Sequence, residues 1–268
     1  MRNVIEIRQL SRTFPAHKRG PAVHAVDHVN MVQAEGEFLA IMGPSGCGKS
    51  TLLNIIAGFD KADDGVCLIN GAPVNSVGPD RGVVFQEYAL FPWMTVENNV
   101  IFAMKAAGKW SPDAPSRVSH ILERMGVAQF RHAFPKDLSG GMRQRVAIAR
   151  ILAIDSPIML MDEPFGALDA LTRSEMQEEL MELWSETHKT IFFVTHGVDE
   201  AVYLADRILV MTPRPGRVVL DLKIDLPRPR DITDPRFNEY KREILNVIHP
   251  TLVSGRKSAR HRKASATG

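Results

Sequence analysis

The chain has 268 residues, 44% of them hydrophobic and 24% charged, and 33 Lys or Arg against 31 Asp or Glu leave a formal net charge of +2. That composition excludes general disorder, since there is ample Leu, Ile, Val and Phe for a core, and the length suits one large domain or two small ones. No apolar run reaches 18 residues, the opening MRNVIEIRQL lacks the apolar stretch of a signal peptide, and two cysteines (Cys47, Cys67) form no disulfide framework, so a bilayer span and secretion are not expected and a reducing compartment is.

In chain order, VIEIRQL near the start and the segments around Cys67 and Gly71 read as antiparallel strands, with Asp63-Asp64-Gly65 and Asn70-Gly71 as turn signals. FLAIM (38–42), VVF (83–85), IMLM (158–161) and IFFVT (191–195) are brief apolar runs bounded by Gly, Pro or charge, the pattern of strands buried on both faces. Helical patterns follow three of them, after Gly48, over 172–187 and over 198–205, which predicts an α/β domain with a mainly parallel sheet. Between Thr95 and Ile154 the pattern is almost wholly helical. Val118, Ile121, Leu122 and Met125 share an apolar face there, while Pro112, Pro115 and Pro135 punctuate. A strand is expected after Arg207. In VVLDLKIDL (218–226), Leu220, Leu222, Ile224 and Leu226 alternate with Asp221, Lys223 and Asp225, a half-buried strand. The charge is uneven: seven Lys or Arg and only Glu243 fall in residues 241–268, leaving 26 basic and 30 acidic residues in the first 240.

GPSGCGKST, residues 43–51, fits the phosphate-loop pattern of Gly, four residues, Gly, Lys, Ser/Thr. It sits where that pattern has physical meaning, between a predicted strand and a predicted helix. Gly43, Gly46 and Gly48 let the loop through Pro44, Ser45 and Cys47 curl so that the N–H groups of its non-proline residues face phosphate, and the dipole of the helix opening at Lys49, Ser50 and Thr51 adds positive potential. Lys49 is placed to reach the terminal phosphates and Ser50 to offer an oxygen to Mg²⁺. IMLMDEP (158–164) ends an apolar strand on Asp162 and Glu163. Alone, that is most often a strand meeting its turn. Beside a phosphate loop, Asp162 can hold Mg²⁺ and Glu163 can polarise an attacking water.

LSGGMRQR, residues 138–145, closely resembles the signature sequence of ABC-transporter ATPases. With it, other residues fall into that family's order across residues 4–226: Gln86 resembles its Q-loop glutamine, Gly166-Ala167-Leu168-Asp169 its D-loop, His196 its switch histidine, and Phe14 the aromatic that stacks on adenine. Met142 stands where many members have Gln, leaving Ser139, Gly140 and Gly141 intact. The resemblance implies a P-loop NTPase (RecA-like) core with a mainly parallel sheet, an N-terminal antiparallel β subdomain and a helical insert over about 88–154. It implies an ATP-binding domain over 1–230 and a C-terminal extension over 231–268, basic at its end. It also implies ATP and Mg²⁺ as ligands, with Ser50, Gln86 and Asp162 toward the metal and Glu163, His196 and Gln86 in hydrolysis.

In that family Ser139 and Gly141 face the phosphate loop of a second cassette, and the resemblance counts Ser139, Gly140, Gly141 and Asp169 with the cofactor-binding residues. This chain carries one of each motif, so a homodimer is expected. Transport work then passes to separate integral-membrane permease subunits, with an extracytoplasmic solute-binding protein in the full system and this chain peripheral on the cytoplasmic face of the inner membrane. Tyr88-Ala89-Leu90-Phe91-Pro92-Trp93 is apolar for a loop, which fits either packing of the insert onto the core or a groove for a permease helix. FQEYALFPWMTVENNV and MTPRPGRVVLDLKIDLPRPRD resemble the ATPases of importers for nitrate, sulfonate, taurine and related small solutes. The alternative is a non-transport ABC ATPase acting on nucleic acid or a protein complex; no aromatic follows Tyr240 to stack on bases, so nucleic acid is not an expected partner.

Overall fold

Strand β3 (Phe38–Met42) is buried at all five positions. Phe38, Ala40 and Met42 join one apolar cluster, while Leu39 and Ile41 join another on the opposite face. Strands β7 (Ile158–Asp162) and β8 (Thr190–Thr195) divide the same way, with Met159, Met161, Ile191 and Phe193 on one side and Ile158, Leu160, Phe192 and Val194 on the other. Strands buried on both faces form the middle of a layered α/β structure. A computed structural model describes residues 2–16 and 21–248.

The six-stranded sheet has the order β10 (Val218–Lys223), β9 (Arg207–Met211), β3, β8, β7, β6 (Arg81–Val84), with β10 antiparallel and every other neighbouring pair parallel. A second, wholly antiparallel sheet has the order β2 (Val23–Ala34), β1 (Asn3–Phe14), β4 (Asp64–Ile69), β5 (Ala72–Pro73). Helix α1 (Lys49–Ala57) lies in the shared core: its Leu52, Leu53 and Ile56 cluster with Ile5 and Ile7 of β1 and with Leu39 and Ile41 of β3.

The other face of the large sheet carries helices α2 (Val96–Ala106), α3 (Ala114–Arg124), α4 (Gly140–Ala153), α5 (Ala170–Thr187) and α6 (Val198–Leu204). Val118 and Leu122 of α3 are fully buried, as their spacing predicts, and Pro115 occupies the first turn, where its missing N–H costs nothing. Two single-turn 3-10 segments, Ala128–Phe130 and Pro135–Asp137, interrupt the helical stretch.

Two elements escape the sequence pattern. In β2, buried positions fall on Asp27 and Gln33, so polar side chains stand where a half-buried strand is expected to be apolar. Each has its own partners: Gln33 Nε2 donates to the carbonyls of Ile191 (2.8 Å) and Glu37 (3.0 Å), and Asp27 accepts from Arg217 Nε at 2.7 Å. Helix α7 (Pro235–Ile248) buries Phe237 and Ile244 after a segment with no periodic signal. The expected strand over 218–226 stops at Lys223, although Ile224 and Leu226 stay buried. The basic run from Arg256 to Lys263 lies outside the described residues.

The loop after β6 is held at several points. Tyr88 and Ala89 both take positive φ, 63° and 48°, and Arg150 at the end of α4 donates to the carbonyls of both at 2.7 Å. Burial lowers the Arg150 guanidinium to about 10, which leaves it charged at neutral pH. Asn99 of α2 is fully buried and accepts from Phe91 N at 2.9 Å. Its two amide hydrogens are shared among the carbonyls of Phe91, Met94 and Thr95 at 3.0–3.2 Å. Asn99→Ala is therefore expected to lower stability by about 2 kcal/mol or more, since it strands buried backbone groups; urea titration of the two proteins measures the difference.

Candidate functional site

Parallel pairing brings the carboxyl ends of β3, β8 and β7 together, and each ends on residues that carry chemistry. Beyond Met42, the loop from Gly43 turns directly into α1. Gly48 adopts φ 96° at the helix start, and a β-carbon there would meet Val26 Cγ1 at 2.4 Å, so glycine is required on both conformational and steric grounds. Lys49 is 5% exposed, and its ammonium donates back across the loop to the carbonyls of Gly43 (2.9 Å) and Pro44 (3.3 Å). The charge is thereby held at the centre of the curl, beside the N-terminus of α1. Cys47 is buried and its thiol is pushed up by that burial, so it acts as a small neutral filler.

Ser50, one residue into α1, donates from Oγ to Asp162 Oδ1 at 3.1 Å, joining the helix to the end of β7 across the intervening β8. Burial raises the Asp162 carboxyl. Glu163 follows with φ 44°, a left-handed conformation that a non-glycine residue adopts at a cost of order 1 kcal/mol. Its backbone is locked there, with N–H donating to Val194 O at 2.9 Å and C=O accepting from Gly166 N at 3.1 Å. The result aims the Glu163 carboxylate at His196 just past β8, with Nδ1 to Oε2 3.1 Å.

A cavity of about 480 Å³ is lined by Phe14, Ser45, Lys49, Gln86, Glu163 and Arg214, among others. Phe14, at the end of β1, is 37% exposed. The guanidinium of Arg12 lies 4.9 Å from its ring centroid and is itself fixed by Asp60 at 2.8 Å and Asp63 at 2.6 Å. One face of the ring is thus occupied by a held cation. Gln86, after β6, is exposed. On the far side of Glu163 a second cavity of about 830 Å³ includes His196, Arg173, Glu200 and Arg230.

The structure does not bring Ser139, Gly140, Gly141 or Asp169 into the lining of the first cavity. They stand instead at the N-termini of α4 and α5. Ser139 caps α4, its Oγ accepting from Met142 N at 3.3 Å, and Asp169 caps α5, accepting from Thr172 N at 3.1 Å and Thr172 Oγ1 at 2.7 Å. Those Thr172 bonds hold the Asp169 carboxyl below its ordinary range. Thr172 also packs against Gly141, where a β-carbon would lie 2.6 Å from its methyl.

Arg214 and Gly216 were not singled out by sequence reasoning. The turn between β9 and β10 is zipped onto β2, with Gly216 N donating to Ala25 O at 2.9 Å and Asp27 N to Gly216 O at 3.0 Å. This presses Gly216 against the phosphate loop, so that a β-carbon there would fall 1.8 Å from the Cys47 carbonyl oxygen. The only sequence signal is a glycine in a turn, because the neighbour that explains it lies far away in the chain.

The family described as ABC transporter matches residues 26–166. The nitrate import ATP-binding protein NrtD of Synechococcus elongatus is 44% identical, covering 90% of this chain and 89% of its own. The taurine import ATP-binding protein TauB of Rhizobium johnstonii is 47% identical, covering 89% and 94%. Among solved structures, a dimeric ATP-binding cassette in a post-hydrolysis state bound to ADP and Pi is similar with a TM-score of 0.70 at 34% identity, over 82% of this chain and 98% of the other.

The contact at Gly216 yields a direct test. Gly216→Ala is expected to push the loop carbonyl at Cys47 out of place and weaken binding of a fluorescent ATP analogue at least about tenfold. Titration of that analogue, with a thermal melt of the same protein to establish that it is folded, measures the effect.

Proposed function

Because this chain belongs to the ABC transporter family, we propose that it is the ATP-hydrolysing subunit of an importer for a small solute of the nitrate, sulfonate or taurine kind, acting as a head-to-tail homodimer on separate permease subunits. The observation that carries this reading is the convergence of Lys49, Ser50 with Asp162, and Glu163 with His196 at the ends of three parallel strands. In open α/β sheets that edge is where ligands bind.

The donor set fits Mg²⁺. Ser50 Oγ and Asp162 Oδ1 lie 3.1 Å apart at the foot of α1, Gln86 lines the same cavity, and no group of three or more His, Cys, Asp or Glu able to hold a metal occurs among the described residues. A few protein oxygens completed by phosphate and water is the hard-oxygen shell this cation takes. Ser50, Asp162 and Gln86 would hold the cation, and it would supply neutralisation of phosphate charge there.

The chain's own groups account for the rest. Loop amides and the α1 dipole receive the phosphates, and Lys49 exchanges its carbonyl partners for phosphate oxygens. Glu163 orients and deprotonates the attacking water, while His196 holds the Glu163 carboxylate through Nδ1 and keeps Nε2 for the γ-phosphate. Phe14, braced from behind by Arg12, offers its free face to adenine. Ser139, Gly140, Gly141 and Asp169 stand outside their own chain's cavity at the N-termini of α4 and α5. That placement supports their use by a second copy, where the N-terminus of the 14-residue α4 faces the other nucleotide.

No helix among the described residues is long and apolar enough to cross a membrane; the similarity to import ATP-binding proteins is what supports a peripheral role on the cytoplasmic face. The permease contact we assign to the loop after β6. Tyr88 is buried and anchors it, whereas Trp93 is 69% exposed and packs at a tilt against Phe91, which in turn meets Phe102 edge-on, at centroid distances of 5.6 and 4.8 Å. Both sequence readings of this loop therefore have support, one at each end of it.

Glu163→Gln is expected to keep ATP affinity while hydrolysis falls about 10²- to 10⁴-fold, with an ATP-dependent dimer accumulating on size-exclusion chromatography; wild-type turnover in this variant would remove Glu163 from its role. Trp93→Ala is expected to leave ATP affinity unchanged and to reduce recovery of the permease on affinity purification from membranes co-expressing both. Reconstituting that complex with an extracytoplasmic binding protein and assaying nitrate, sulfonates and taurine then identifies the solute.

A further inference from the structure

One arginine, Arg214, lines the cavity that holds the phosphate loop, and two others near it in the fold, Arg12 beside Phe14 and Arg217 in the same turn as Arg214, are committed to carboxylates. Arg12 is held by Asp60 and Asp63, and Arg217 by Asp27. Arg214 is exposed and has no carboxylate partner among the described residues. Its one recorded bond runs from Nε to the carbonyl of Gly46, in the middle of the phosphate loop, at 3.2 Å. It also lines the cavity shared by Phe14, Lys49 and Gln86.

That position is built by the turn beneath it. Thr212 closes the turn from both sides, with Thr212 N donating to Arg217 O at 2.9 Å, its Oγ1 donating to Pro215 O at 3.0 Å and accepting from Arg217 N at 3.0 Å. Gly216 then zips to Ala25 and Asp27 of β2. The backbone carrying Arg214 is therefore fixed to the same strand whose Val26 packs against Gly48. A guanidinium presents five donors in a planar fork matched to phosphate oxygens, and bonding through Nε leaves its terminal amino groups free.

We propose that Arg214 contacts the phosphate chain of ATP, reaching in from the β9–β10 turn as a cationic lip opposite Lys49. The inference rests on the nucleotide-binding reading of this cavity and adds a ligand contact from outside the phosphate loop, the signature sequence and the Asp162-Glu163 strand end. In it, the Nε bond to Gly46 orients the side chain, and the terminal amino groups form charge-assisted hydrogen bonds to phosphate oxygens.

The test uses the full chain and ATP in the presence of EDTA, so that turnover does not complicate binding, with calorimetric titration of wild type, Arg214→Gln and Arg214→Lys. Glutamine keeps a donor for the Gly46 carbonyl but no charge, and lysine keeps the charge without the fork. The expected result is an ATP affinity about tenfold weaker for Arg214→Gln, partial recovery in Arg214→Lys that fades as salt is raised, and unchanged melting temperatures without nucleotide. Equal affinity of Arg214→Gln and wild type overturns the inference. So does a loss in both variants that comes with a lower melting temperature, because that pattern belongs to a brace for the loop. A wild-type chain that binds no ATP overturns the nucleotide reading itself, an outcome distinct from the other two.

Discussion

Everything in this molecule depends on three apolar strands lying parallel and adjacent in the order β3, β8, β7. Burial on both faces leaves these strands no solvent side, so helices must cover one face and α1 with the antiparallel sheet must cover the other. Parallel pairing also sends all three chains out of the sheet at one edge. The phosphate loop, His196 and the Asp162-Glu163 pair thus arrive at a common place with no long-range steering, and the Ser50–Asp162 bond ties the arrangement across β8. The hydrophobic pattern that drives folding is the same pattern that assembles the chemistry.

Polar groups that do not fit the pattern are concentrated where separate layers must be joined. Gln33 joins β2 to the backbone near β3 and β8, Asp27 joins β2 to the turn before β10 through Arg217, and Arg150 joins α4 to the loop after β6. Each satisfies buried backbone or charge that would otherwise be costly. Glu163 is a different case. Its left-handed backbone is held by two hydrogen bonds and delivers a carboxylate to His196, so local strain is retained at the point where direction matters most.

What could be read from the sequence follows from how local each feature is. Gly43 to Thr51 are contiguous, and their geometry is set by glycine freedom and a helix start, so loop, lysine and hydroxyl were all legible. FLAIM, IMLM and IFFVT were legible because two-sided burial writes an unbroken apolar run. Strand β2 was not, since Asp27 and Gln33 occupy buried positions and their partners are supplied by other segments. Helix α7 shows its apolar pair, Phe237 and Ile244, only once α6 and β9 are in place beneath it. Arg214 and Gly216 were the least accessible: the loop they touch is 168 positions away from Arg214, and neither residue type is unusual in a turn. The capping bonds of Ser139 and Asp169 were also hidden, because the resemblance that identified these residues says nothing of what they do for their own helices.

Tyr88 ties the loop after β6 to both ends of α4. Its backbone carbonyl is gripped by Arg150 in the last turn of α4, its ring lies under Arg143 in the first turn at 5.5 Å, and its hydroxyl sits close to Gly140. A helix of 14 residues is a rod about 20 Å long, and a residue fastened at both of its ends cannot shift unless the rod does. Gln86 and Trp93 flank Tyr88 on the same short loop. Under the function proposed above, a movement begun at Ser139 would be delivered to the exposed aromatic edge, and a load placed on that edge would be felt at Ser139 with the same free energy, since coupling between two binding surfaces is reciprocal.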